Sequence, residues 1–305
     1  MRRAAGGEDT VTGIPALSAR PAAQWRGTGR AGVTEDATAA GGCARERLVL
    51  DRPGIARVHD YLLGGKDNYA ADRALARRVL QILPQAAESA RASRAFLGRA
   101  VRALTARGVR QFVDLGCGLP AAVNLHQIAA RHAAARVVYV DDDPLVIAHA
   151  RALLIRDGDI AALKADIRDP ERVLASPEMR RLIDPREPVA LVFCSVLHFL
   201  DDPSGPVTAL TEAAPPGSAV VVSHATADFT PAVTEAALHY GEAIGVPLLP
   251  RPAAEVGRLL GGFTPLGPGV VPVERWRPDA PPRAASPLPP YPPVMYGAVG
   301  VLGSS

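Results

Sequence analysis

The feature that most restricts this chain is a repeated switch between short apolar runs and longer stretches with helical spacing. Gln111-Phe112-Val113-Asp114-Leu115, Arg136-Val137-Val138-Tyr139-Val140, Val189-Ala190-Leu191-Val192-Phe193-Cys194 and residues 218–223 are strand-length apolar runs, and 161–165 is a weaker one. Helical patterns lie between them, at 122–132, 144–154, 170–183 and 207–213. Strands that are apolar on both faces and alternate with helices form a parallel sheet covered on both sides. Such sheets bind ligands at the carboxyl ends of their strands. Functional residues are therefore expected just after Leu115, Val140, Ala165, Cys194 and Val222.

Three helical stretches come first. Ile55, Val58 and Leu62 share one face. Leu75, Val79, Leu80 and Leu83 share another, ended by Pro84. Phe96, Leu97, Ala100, Val101 and Leu104 make a third, with Gly108 as its stop. Two more helices are expected at 231–243 and 252–260, and 269–273 with 294–299 resembles a hairpin of strands. Residues 1–48 carry no hydrophobic periodicity, so they are expected to be disordered, a misassigned start codon being the alternative. The Pro-dense stretch 277–293 reads as an extended loop, not a boundary. The expectation is one domain over 49–305, with 49–108 as a helical N-terminal lid.

Composition excludes several classes. With 48% hydrophobic and 21% charged residues over 305, the chain is globular. A net charge of +3 is too weak to make nucleic acid or an anionic membrane the main partner. No run approaches the ~20 apolar residues of a membrane span. No apolar stretch follows Arg2-Arg3, so a signal peptide is not expected and a cytoplasmic location is. The 3 cysteines, at 43, 117 and 194, offer neither a disulfide framework nor a zinc spacing. No metal is expected, and Cys117 and Cys194 read as small pocket-wall residues.

The strand ends carry the chemistry. After the first comes Asp114-Leu115-Gly116-Cys117-Gly118, where Gly116 and Gly118 permit a sharp turn and close approach to a ligand. A dinucleotide fingerprint is completed only by Ala121 in place of a third Gly, which leaves a nicotinamide enzyme open. Asp114 argues against it, because a buried carboxylate repels a pyrophosphate and suits an ammonium. After the second strand, Asp141 can accept both hydroxyls of a ribose, while Asp143 reads as the N-cap before Pro144. After the third, Asp166 can accept from an adenine amino group, and Asp169 caps the next helix. Ammonium, ribose and adenine in that order describe S-adenosylmethionine (SAM).

Asp114-Leu115-Gly116-Cys117-Gly118 resembles motif I of class I SAM-dependent methyltransferases. More narrowly, residues 56–73, Arg94-Ala95-Phe96-Leu97, Val138-Tyr139-Val140-Asp141, Val196-Leu197-His198-Phe199, Ser223-His224-Ala225-Thr226 and Pro272-Val273-Glu274-Arg275-Trp276-Arg277-Pro278 resemble an actinobacterial family of S-adenosyl methyltransferases first catalogued as a domain of unknown function. The resemblance covers about residues 51–299. It departs at Ala121 and Ala122, usually Thr or polar, and at Asp142, usually Asn. It implies a Rossmann-like α/β fold with a seven-stranded, mostly parallel sheet whose last strand is antiparallel.

The cofactor-binding set expected on these grounds is Tyr61, Gly64, Gly65, Asn68, Asp114, Gly116, Gly118, Asp141, Asp142, Asp166, Ile167 and Ser195. Gly64-Gly65 reads either as a turn between packed helices or as a cofactor lid, with His59, Tyr61, Lys66 and Asn68 around it. His198 and His224, just beyond strands four and five, are the candidates for a general base, and His59 and Tyr61 could face the same cavity from the lid, each with a structural role as its alternative. The expected activity is methyl transfer to a small molecule. A SAM-binding regulator, a nicotinamide oxidoreductase and macromolecular methylation are the alternatives.

Overall fold

The computed structural model describes residues 50–303 except 157, 213 and 280–290. The expected disordered segment 1–48 and most of the Pro-dense loop lie outside the described residues. Three helices come first, α1 (Ile55–Leu63), α2 (Ala70–Ile82) and α3 (Ala86–Thr105). The alternating part follows: β1 (Gln111–Leu115), α4 (Leu125–Ala130), β2 (Arg136–Asp141), α5 (Pro144–Leu153), β3 (Ile160–Lys164), α6 (Pro170–Leu174), α7 (Pro177–Leu182), β4 (Val189–Cys194), α8 (Ser204–Thr211) and β5 (Ala219–Ala225). The chain ends with α9 (Ala232–Ile244), α10 (Ala253–Arg258), β6 (Thr264–Pro265), β7 (Val271–Pro272) and β8 (Met295–Val301).

The sheet runs β3-β2-β1-β4-β5-β8-β6, with β7 also paired to β8. β1 to β5 are parallel, and β8 is antiparallel to β5, Ala219 facing Val301 and Ala225 facing Met295. The hairpin expected at 269–273 is the short β7, whose Val271 and Pro272 pair with Gly297 and Tyr296. The periodicity missed β6, which has only two residues. It also merged α6 and α7, which Ser176 separates by capping the N–H of Met179 ahead of Pro177. The helix expected from 122 starts at Leu125, because Asn124 and Gln127 form a reciprocal capping box.

The strand period of two divides the core. Phe112, Val137, Tyr139, Ala190, Val192 and Val221 face the helices α1 to α3, while Val113, Val138, Val140, Leu191, Phe193 and Val222 face the other layer. Asp114, two residues after Phe112, thus emerges on the α3 side. Two buried polar contacts fix the helices over that face. Asp72 accepts from the N–H groups of Gly54 and Tyr69, both at 2.8 Å, and from Arg57 Nε at 3.1 Å, tying α1 to α2. Arg99 Nε donates to the Trp276 carbonyl at 2.8 Å, and the fully buried Trp276 ring stands edge-on to Phe96 at 5.4 Å. Gly297 leaves room for that pair, since a Cβ there would lie 2.9 Å from the Phe96 ring. No helix among the described residues is long and apolar enough to cross a membrane.

Candidate active site

A cavity of about 430 Å³ opens at the carboxyl ends of β1 to β5, beneath α1 and α3. That size is ordinary for a small-molecule site. Its floor is the turn after β1. Gly116 and Gly118 have φ of 70° and 67°, conformations that side chains with a Cβ resist, and a Cβ on Gly116 would sit 2.3 Å from Val196. The turn is held from below by β2. Gly116 N–H donates to the Val140 carbonyl at 2.8 Å, and Gly118 N–H donates to Asp141 Oδ2 at 2.9 Å.

Of the residues expected at the site, Asp114, Gly116, Gly118, Asp141, Asp142, Asp166, Ile167, Ser195 and His198 line this cavity. Asp114 is buried and its carboxylate accepts no hydrogen bond among the described residues. Burial pushes its pKa up to about 6, against the pull of the Arg94 guanidinium. A buried carboxylate without a hydrogen bond, in a cavity that an arginine also lines, offers the two opposite charges that an amino-acid zwitterion carries. Asp141 is pushed up to about 7 by burial, with the N–H groups of Asp143 and Gly118 working the other way. Its Oδ1 also accepts from Asp143 N–H at 3.0 Å. Asp166 is engaged differently. Arg168 grips it through Nε at 2.9 Å and Nη2 at 2.6 Å, and this hydrogen bonding lowers its pKa.

Ser195 takes φ 58°, one of two positive values among the described non-glycine residues. Its N–H donates to the Ser223 carbonyl at 3.1 Å and to Ser223 Oγ at 3.0 Å, and its hydroxyl meets Ser93 Oγ at 3.1 Å. Ser93 and Ser223 are themselves 2.8 Å apart, so three hydroxyls join α3 to the ends of β4 and β5. Strain of this kind persists only where surrounding bonds over-determine it, and it is concentrated at functional sites.

Tyr61, Gly64, Gly65, Asn68 and His224 do not line the cavity. The first four have a local reason for their identities. Gly64 ends α1 in the left-handed region, with φ 82°. A Cβ on Gly65 would come 1.9 Å from the Asp60 carboxylate. That carboxylate accepts from Asp67 N–H at 2.9 Å and Asn68 Nδ2 at 2.8 Å. Tyr61 packs against the helical core. The Gly pair and Asn68 thus wrap a turn around Asp60. His224 is fully buried. Its Nδ1 donates to the Ala225 carbonyl at 2.8 Å and its Nε2 accepts from Arg251 at 3.1 Å, so neither nitrogen is left for a substrate proton.

What α1 and α3 bring to the cavity instead is His59, Asp60, Ser89, Ser93 and Arg94. His59 has no hydrogen-bond partner among the described residues. Burial, then the Arg94 charge, lowers its pKa to about 4. His198 is lowered well below the ordinary value by burial, then by His224, His59 and Arg251. Its Nδ1 accepts from Ala225 N–H at 3.4 Å, which puts the ring proton on Nε2. Arg94 stood in the sequence run Arg94–Leu97, but nothing in its spacing pointed to Asp114, 20 residues on. His59 was legible as a residue that could face the acceptor cavity from the lid, without preference over His198 or His224.

A five-stranded parallel core, an antiparallel strand inserted beside β5, a glycine turn after β1 and carboxylates after β1, β2 and β3 together define a class I methyltransferase. The chain belongs to the S-adenosyl methyltransferase family, whose sequence profile matches residues 42–302. It is similar to a candidate methyltransferase from Thermobifida fusca YX, with 40% identity, a TM-score of 0.78, and coverage of 83% of this chain and 96% of that one. It is also similar to a DUF574 family protein from Streptomyces avermitilis MA-4680, with 38% identity, a TM-score of 0.78, and coverage of 83% and 98%. Among curated proteins no sequence matches. The chain is a SAM-dependent methyltransferase.

Proposed function

We propose that the protein transfers the methyl group of SAM to a small molecule, with the cofactor spread across the ends of β1 to β3. The observation that carries the cofactor placement is the unpaired Asp114 carboxylate, buried in the wall of a cavity that Arg94 also lines. In this reading Asp114 takes the ammonium of the cofactor, Arg94 its carboxylate and Asp141 its ribose hydroxyls. Asp142, Asp166 and Ile167 flank the adenine, and Gly116 and Gly118 supply the backbone that lets the cofactor approach. Ser195 lies at the boundary with the acceptor.

The cofactor, when bound, supplies a methyl group activated by a sulfonium. The protein's part is alignment, exclusion of water and disposal of the acceptor's proton. His59, with both nitrogens free of protein partners, is the group placed to receive that proton. His198 holds its proton on Nε2 and can donate to the acceptor atom, which positions it rather than deprotonating it. The segment 49–108 acts as the cover of the site through the inner faces of α1 and α3, not through the Gly pair. The cavity continues past the strand ends, which supports an enzyme over a SAM-binding regulator with no acceptor space. Calorimetry tests the reading. S-Adenosylhomocysteine should bind and NAD should give no heat; the opposite pattern would overturn it.

A further inference from the structure

The cavity has a second half that the cofactor residues do not use. Past Ser195 it lies over the β4–β5–β8 side of the sheet, walled by Leu97 on α3, Phe199, Met295 on β8, and Ala237 and Tyr240 on α9. We propose that this chamber takes the methyl acceptor as an uncharged, apolar molecule built on a flat ring, with its one or two polar atoms turned toward His59 and His198. The inference rests on the reading of the β1–β3 half as the cofactor site.

Three observations carry it. First, among the described residues no charged side chain of the chamber is left without a partner. The charged side chains on the wall formed by α1 and α3 are Asp60 and Arg94. The Asp60 carboxylate is taken by Asp67 and Asn68, and the Arg94 guanidinium donates through Nη2 to the Val123 carbonyl at 3.0 Å. A charged acceptor would lose its hydration with no counter-ion to replace it. Second, the wall is aromatic. Phe199 and Tyr240 lie 5.7 Å apart at 31°, and His198 meets Phe199 at 4.4 Å and 60°. Ring ligands pack on such surfaces with offset or edge geometry. Third, two of the polar groups have no partner, while His198 and Tyr240 each keep one bond to the backbone. His59 has no partner among the described residues, and Ser89 Oγ is buried with none. A small number of convergent polar atoms in an apolar pocket fixes orientation and chooses the ligand.

The test uses three probes of one shape and different charge: 1-naphthol, 1-naphthoate and 1-naphthylmethylammonium. Each is titrated calorimetrically at neutral pH into the full chain saturated with S-adenosylhomocysteine. The neutral probe should bind at least about tenfold more tightly than either ion. Ala237→Phe on α9 and Ala90→Phe on α3, two lining positions of the cavity, should each weaken naphthol binding by about tenfold or more while S-adenosylhomocysteine affinity stays within about threefold. Retained cofactor-product binding shows that each variant is folded. Either ion binding as tightly as naphthol, no naphthol binding to the loaded protein, or naphthol binding that survives both substitutions overturns the proposal. If S-adenosylhomocysteine itself fails to bind, the cofactor reading has failed instead. The same three titrations on the ligand-free chain then decide the chamber's preference.

Discussion

Asp141, at the end of β2, accepts a hydrogen bond from the backbone N–H of Gly118 in the turn after β1, at 2.9 Å. One carboxylate therefore serves two strand ends: it holds the glycine turn in shape and keeps lone pairs directed at the cavity. Asp141→Ala removes both, and S-adenosylhomocysteine binding should weaken by roughly 1.5–3 kcal/mol, the range for bonds to a charged group. Calorimetry on the folded variant measures this. An unchanged dissociation constant would assign the ribose to another residue.

Asp114 should trade stability for binding. Its pKa of about 6 lies above the ordinary 3.8, so in the ligand-free protein its contribution is fully favourable below the unfolded value and is lost as pH rises through about 6. Asp114→Asn should thus raise the stability of the ligand-free protein at pH 8, by about 1–3 kcal/mol, read as a higher melting temperature. The same variant should bind S-adenosylhomocysteine at least about tenfold more weakly. 5′-Methylthioadenosine, which lacks the amino-acid tail, should bind as before. Arg94→Ala should show the same selectivity between the two ligands. Equal losses for both would place these residues away from the tail.

The Gly pair should prove to be a folding requirement. Gly65→Ala drives a methyl group to 1.9 Å from the Asp60 carboxylate, which must leave Asp67 and Asn68. The expected cost is about 1–3 kcal/mol, a drop of roughly 2–12 °C in melting temperature at 2–4 °C per kcal/mol. S-Adenosylhomocysteine affinity should fall by less than tenfold. A large loss of affinity at unchanged stability would make the pair a direct cofactor contact.

His59 and His198 should remain neutral throughout the working range. Both have folded pKa values below the unfolded 6.5, His59 at about 4, so their contribution to stability is present above pH 6.5 and is lost as pH falls toward 4. Imidazole chemical shifts of histidine-labelled protein should show neither ring protonated at pH 6. His59→Asn should make the acid-side loss of stability shallower. A His59 ring that titrates near 6.5 would place it in water and not at the cavity wall.

Binding should also be felt in α1. Hydrogen exchange with and without S-adenosylhomocysteine should show protection in 59–63, whose His59, Leu62 and Leu63 line the cavity, alongside the Gly116–Gly118 turn. Protection confined to the turn and the strand ends would make α1 plain scaffold.

What the sequence determined by itself is the sheet and the chemistry at its edge. Strand runs apolar at nearly every position are buried on both faces, and once they were strands, Asp114, Asp141 and Asp166 had to stand at or near their carboxyl ends. Caps such as Asp143, which accepts from Leu145 N–H at 2.8 Å, were legible for the same local reason. Tertiary structure decided everything that depends on how the helices lie over that sheet. The register of α3 is set by contacts such as Arg99 to Trp276, 177 residues apart, and it is this register that brings Arg94 toward Asp114 and Ser93 onto Ser195. The period of a helix says which residues share a face, but not what the face meets. The Gly pair looked like a ligand contact because a glycine's freedom is visible in sequence while the atom it makes room for, here the Asp60 carboxylate, is not. His198 and His224 were equivalent on paper. Only the packing of Arg251 against one ring and the cavity against the other separated them.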